Sequence, residues 1–150
     1  MKMETIILYY DKENPNGRIY TSKLIDSIIK DFNEGKEDGD FIFGNLDYPD
    51  IEELFFSKLS HKVTELKKDE KNKTLCGVLE ILDTHIGKLL QKKVYEWTAK
   101  GMEIPFSCRI RGTGSVNKKT KEVENFKLKA CDLVPKNTNA YKDIIDEKLQ

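Results

Sequence analysis

The chain has 150 residues, with 26 Lys+Arg against 26 Asp+Glu, and 38% of it is hydrophobic and 35% charged. That is one domain's worth of chain, and a domain of this size buries roughly two-thirds of its unfolded surface without a metal or disulfide staple. Zero net charge speaks against a general nucleic-acid binder, and no apolar run approaches the roughly 20 residues of a membrane span.

The first residues carry no signal-peptide pattern. Cys76, Cys108 and Cys131 are widely spaced and fit neither a zinc motif nor a disulfide framework, which points to a reducing intracellular compartment.

Residues 3–10 read as a strand and 11–20, with Pro15 and Gly17, as a loop. Residues 21–33 read as a helix, because Leu24, Ile25, Ile28, Ile29 and Phe32 fall on one stripe of a 3.6-residue period. Thr21 or Ser22 caps its start and Gly35 ends it. A short apolar strand over 41–43 leads into a turn-rich loop over 44–50.

Phe55, Ser57, Leu59, His61 and Val63 then alternate with Lys58, Ser60, Lys62 and Thr64, which predicts a strand with its odd face apolar. A charged turn over 67–73 joins it to a strand over 74–82, apolar enough to be buried on both faces. Residues 87–100 read as a helix with Leu89, Leu90, Val94 and Trp97 inward and Gly101 at its end.

A strand over 104–111 points Ile104, Phe106, Cys108 and Ile110 one way and Ser107, Arg109 and Arg111 the other. A turn over 112–120 follows, then a long strand over 123–134 with Phe126, Leu128, Ala130, Asp132 and Val134 on one face. A short terminal helix is predicted over 143–149. Strands outnumber helices, so the expected fold is mixed α/β with dominant β: a mostly antiparallel β-barrel flanked by helices, in a single domain over 1–150.

Two polar residues break the apolar pattern. His61 lies on the Leu59/Val63 face and Asp132 on the Leu128/Ala130/Val134 face. A buried carboxylate is costly unless paired or hydrogen-bonded, and a buried imidazole is a suitable partner. The bland alternatives are a satisfied core histidine and a rim aspartate. The other histidine, His85, reads as a solvated turn residue, and two histidines 24 positions apart without a cysteine pair make a poor metal set.

Of the six serines, Ser107 shares its strand face with Arg109 and Arg111, where positive charge suits an oxyanion. The alternative for it is a solvent-facing strand serine. Ser57 falls on the face of His61 and Ser60 on the opposite one. Cys108 points at the core, where thiols are inert. Residues 118–129 carry five lysines against Glu122 and Glu124, a solvated hairpin whose lone aromatic, Phe126, is too few for a nucleic-acid groove.

Five segments in order resemble the prohead (capsid maturation) proteases of tailed bacteriophages, relatives of the herpesvirus assemblins. They are FGNLDYPD (43–50), LSHKVTEL (59–66), GVLEILDTHIGKLL (77–90), PFSCRIRGTGSV (105–116) and FKLKACDLVP (126–135). Asn45 and Tyr48 depart from the family's Glu and His in the first of them.

The resemblance implies an assemblin-like fold and a serine endopeptidase that uses no metal or other cofactor. Its base falls on His61, its nucleophile on Ser107 and its third, acidic member on Asp132. Arg109 and Arg111 become candidates for substrate or oxyanion contacts.

The implied substrates are scaffold and major capsid proteins, with self-cleavage, inside the assembling prohead in the host bacterial cytoplasm. A homo-oligomer is possible; nucleic acid and membrane are not expected partners. Three alternatives stand beside this one: an inactive capsid-assembly or scaffold-binding domain, a cysteine hydrolase pairing Cys108 with His61, and a single-strand nucleic-acid module at 118–129.

Overall fold

Among the described residues the chain forms two amphipathic helices and seven strands. The computed structural model describes residues 1–47, 59–136 and 141–146. In chain order the elements are β1 (Lys2–Tyr9), α1 (Ser22–Glu37), β2 (Ile42–Asn45), β3 (Leu59–Asp69), β4 (Thr74–Ile81), α2 (His85–Ala99), β5 (Phe106–Val116), β6 (Val123–Pro135) and β7 (Ile144–Asp146).

Both helices start where a threonine hydroxyl satisfies an orphan backbone donor. Thr21 Oγ1 accepts from Leu24 N at 3.2 Å, and Thr84 Oγ1 accepts from Gly87 N at 2.9 Å. Such a cap contributes about 1 kcal/mol. The Thr84 hydroxyl also donates to the Leu59 carbonyl at 2.7 Å, tying the start of α2 to the start of β3. Helix α1 buries Ile25, Ile28 and Phe32, while α2 buries Ile86, Leu90 and Val94. No described helix is long and apolar enough to cross a membrane.

The strands form one sheet in the order β1-β4-β3-β2-β6-β5-β7. The pairs β1–β4, β2–β3, β3–β4 and β5–β6 are antiparallel, and β2–β6 and β5–β7 are parallel. Four strands stand between β1 and β5 in that order, yet Cys108 Sγ on β5 lies 3.9 Å from Thr5 Oγ1 on β1. The sheet is therefore strongly curled, a half-barrel around a core that includes Ile7, Leu46, Val63, Leu79, Leu90, Cys108 and Leu133.

Several boundaries move from their expected places. Strand β3 runs on to Asp69 and β5 to Val116, so the turns between strands are tighter than the charged and glycine-rich stretches suggest. The predicted helix at 143–149 is corrected: Ile144–Asp146 pairs with β5 as a strand, and 147–149 lie outside the described residues. The turn positions 48–50, with Tyr48, and the predicted strand positions Phe55 and Ser57 also lie outside them.

The single apolar face expected on β6 is broken by register shifts against β5, between Arg111 and Gly112 and between Thr113 and Ser115. A bulge flips the alternation that follows it. Phe126 and Leu128 consequently pack into the core beside Cys131 and Leu133, not beside Asp132. Gly112 makes this possible, because the Phe126 ring occupies the space its Cβ would need.

Candidate active site

His61 sits where β3 carries an extra residue. Gly44 on β2 is level with His61 and Asn45 with Leu59, so Ser60 is unmatched on the partner strand. A bulge of this kind bends its strand and re-aims side chains. Ser60 and His61 are both fully buried, and Ser60 Oγ lies 2.6 Å from His61 Nδ1. The expectation that Ser60 faces away from His61 is thereby corrected.

The other ring nitrogen, Nε2, lies 2.7 Å from the Cys131 carbonyl on β6. A carbonyl only accepts, so Nε2 carries the proton; in the neutral ring Nδ1 then accepts from the Ser60 hydroxyl. The imidazole reaches β6 by crossing Gly44, where a Cβ would collide with both His61 Nε2 and the Cys131 carbonyl. Burial holds the His61 pKa below the usual value, against the opposing pull of the Cys131 carbonyl and the charge of Asp132.

Asp132 is also buried, with its side chain 1% exposed. Its Oδ1 accepts from Asn45 N at 3.0 Å and Arg111 Nη2 at 3.1 Å; its Oδ2 accepts from Arg109 Nη2 at 3.0 Å and Arg111 Nε at 2.6 Å. Four donors match the roughly four lone-pair sites of a carboxylate. Burial pushes the Asp132 pKa up, but the hydrogen bonds from Arg111, Asn45 and Arg109 together hold it below the ordinary carboxylate value. Arg109 reaches Asp47 as well, at 3.5 Å, while its Nε is buried without a partner among the described residues.

Ser107 lies at the start of β5, level with Val134 and 3% exposed. Burial raises the Tyr141 pKa, and the nearby Ser107 hydroxyl pulls it back. The backbone of the same tyrosine is fixed to the next residue of β5, Tyr141 N donating to the Cys108 carbonyl at 2.9 Å.

By register Ser107, Arg109, Arg111 and Asp132 share one face of the β5–β6 ladder. His61 shares a face with Gly44, whose neighbour Phe43 is level with Ala130 on the Asp132 face. The structure thus brings Asp132 to Arg109 and Arg111, and His61 to Ser60 and Cys131. It does not join His61, Ser107 and Asp132 by hydrogen bonds. Cys108 faces the core as expected; its thiol is bonded to the Thr5 hydroxyl rather than to His61. His85 is exposed at the first position of α2.

Residues that the periodicity did not single out prove central to this geometry. Ser60 donates to the imidazole whose tautomer the Cys131 carbonyl sets, Gly44 clears its path, Asn45 supplies a backbone donor to Asp132, and Tyr141 binds the β5 backbone beside Ser107. Gly44, Asn45 and Ser60 lie in the segments that resemble the prohead proteases, but the resemblance assigns them no such contact, and Tyr141 lies outside all five segments. Only the glycine in FGN, inside an otherwise apolar strand, signals a close approach.

No protein-family model matches the chain, and no curated protein matches it. Among solved structures it is similar to the bacteriophage T4 capsid assembly protease gp21, with a TM-score of 0.60 and 20% sequence identity over 89% of this chain and 80% of that one. At that identity the likeness is one of fold.

Proposed function

We propose that this chain is a peptidase of the prohead-maturation type, cleaving scaffold and capsid proteins, and itself, inside an assembling phage prohead. One observation carries the reading: the fold follows that of the T4 capsid assembly protease over 89% of the chain. Five sequence segments that stand in the order of the same family, from 43 to 135, support it.

The proposed chemistry is acyl transfer. Ser107 Oγ attacks the scissile carbonyl as His61 takes the hydroxyl proton, and an acyl–oxygen bond forms. His61 then gives that proton to the amine as the carbon–nitrogen bond breaks, and water releases the acyl group by the same route in reverse. Asp132 steadies the positive charge that develops on the imidazole, and Arg109 and Arg111 lie on the nucleophile's face for substrate or oxyanion contacts. Because Ser60 and the Cys131 carbonyl hold His61 in the arrangement above, this chemistry requires the β3–β2–β6 ladder to open locally so that the imidazole turns toward the Ser107 face.

The test is processing of a capsid or scaffold substrate by the wild type and by Ser107→Ala. Loss of cleavage of about 10³-fold or more is expected. Full-rate processing by Ser107→Ala would sink the mechanism.

A second reading, a catalytically inactive capsid-assembly or scaffold-binding domain of the same fold, is favoured by the lack of any hydrogen bond joining the three nominated residues. Covalent labelling of Ser107 by a fluorophosphonate probe speaks for the peptidase. Failure to label it once the hydroxyl is demonstrably accessible speaks for the inactive domain.

A further inference from the structure

The outer edge of β5 beside Ser107 is covered by a later part of the same chain. Tyr141 N donates to the Cys108 carbonyl, and Ile144, Ile145 and Asp146 pair in parallel with Arg111, Gly112 and Thr113. Residues 141–146 therefore run along β5 as an added strand, which is how extended peptides bind a sheet edge.

Little apolar burial holds this strand, since Ile144 is exposed and Ile145 only half-buried. A polar clamp holds it instead. The Asp143 carboxylate, 1% exposed, accepts from Asn14 Nδ2 at 2.8 Å, Asn16 Nδ2 at 3.0 Å and the Tyr20 hydroxyl, and pairs with Arg18 Nη1 at 3.0 Å. The Asp143 backbone carbonyl takes two more donors, Asn16 Nδ2 at 2.8 Å and Arg18 Nη1 at 3.2 Å. Four residues of the loop between β1 and α1 thus converge on one residue of the strand.

Tyr141, just ahead of the clamp, has φ +59°, a backbone conformation that bulky side chains adopt only when their surroundings impose it. Its ring stands edge-on to Tyr9, centroids 5.4 Å apart, and its backbone N–H is bonded to the carbonyl of Cys108, the residue next to Ser107.

We propose that residues 141–146 are a self-docked strand that blocks the β5 edge at Ser107, and that an extended peptide reaches Ser107 only when the Asp143 clamp opens. The inference rests on the reading of Ser107 as the nucleophile. It makes the loop carrying Asn14, Asn16, Arg18 and Tyr20 the latch that sets how often the edge is free. A substrate strand and the chain's own strand compete for the same backbone groups on β5.

Accessibility is testable without any catalysis. In the full chain, Ser107→Cys introduces a thiol whose alkylation by iodoacetamide, mapped by mass spectrometry, reports whether the edge is open. Adding Asp143→Ala is expected to speed alkylation at that position roughly tenfold or more and to raise amide exchange at 144–146, with β3 and β6 amides unchanged. Should Asp143→Ala fail to fold, Asn16→Ala with Arg18→Ala loosens the same clamp from the loop side.

Equal alkylation rates with the clamp intact and broken, when exchange at 144–146 has risen, overturn the proposal. So does unchanged exchange at 144–146 in both clamp variants, since the clamp then does not hold the strand. A clamp-broken protein whose thiol alkylates fast, but whose native Ser107 never reacts with a fluorophosphonate, leaves the blocking strand standing and removes the peptidase reading instead.

Discussion

The interior around His61 and the edge around Ser107 are built on opposite principles. At His61 three adjacent strands close over a buried imidazole; each of its polar atoms has one partner, and the missing side chain of Gly44 leaves it room. At Ser107 a three-residue strand, β7, and a clamped aspartate lie on the outside of the sheet, held mainly by polar contacts. The first region is coupled to global stability, because nothing in it moves without opening the β3–β2–β6 ladder. The second can come away as a unit, since its bonds are to one strand edge and one loop. The edge has more polar contacts than the interior, yet the interior is the fixed site, and burial of the surrounding backbone makes the difference.

The sharpest way to break this contrast is Gly44→Ala. A methyl group there overlaps the Cys131 carbonyl, which is backbone, as well as the His61 ring. Neither a rotamer change nor a small shift of one side chain relieves that collision. We expect a loss of about 3 kcal/mol or more in urea unfolding, or no folded protein at all. A folded Gly44→Ala protein of wild-type stability would mean the interior is looser than described.

A smaller effect comes from pH. The His61 ring is held below its ordinary pKa of 6.5 in the folded state, burial being the main cause. The unfolded chain therefore takes up a proton that the folded chain refuses, and stability falls as pH drops from 6.5 toward the folded value, by at most about 1.4 kcal/mol per pH unit. Asp132 acts further down. Its folded pKa lies below 3.8, so its contribution is complete above that pH and is lost as pH falls on through the folded value. Urea midpoints for the wild type and His61→Gln between about pH 7.5 and about pH 5 test the first step, and the variant is expected to be the flatter of the two. Parallel profiles would assign the slope to another group.

The same contrast explains what was readable in the sequence. Helix α1 was legible because its buried residues repeat every three or four positions and Thr21 precedes them. The core side of β5 was legible from strict alternation, and so were the two anomalies at His61 and Asp132. What each anomaly touches was not legible. Alternation put Ser60 on the wrong face because a bulge adds one residue without any composition signal. Arg109 sits directly across the ladder from Asp132, at a register that bulges further along had shifted, while Arg111 is level with Ala130 and Asn45 comes from β2. The strand at Ile144–Asp146 looked helical since three residues carry no usable period, and its place is set by Asp143 meeting a loop about 125 positions earlier. Long-range pairing of that sort leaves no local trace.

The smallest expected effect is at the edge itself. Tyr141→Phe removes one hydroxyl from beside Ser107 and keeps the ring on Tyr9 and the backbone bond to Cys108. Losing one partly buried hydroxyl while the ring stays in place costs about 1 kcal/mol or less. If β7 detaches without unfolding the sheet, even that loss stays local: the melting temperature hardly moves, while amide exchange at 144–146 rises a few-fold, as expected for a small change in a local opening equilibrium. A drop in global stability comparable to that of Gly44→Ala would place the strand inside the cooperative core. It would then be a structural element of the sheet, and the division between a fixed interior and a releasable edge would fail.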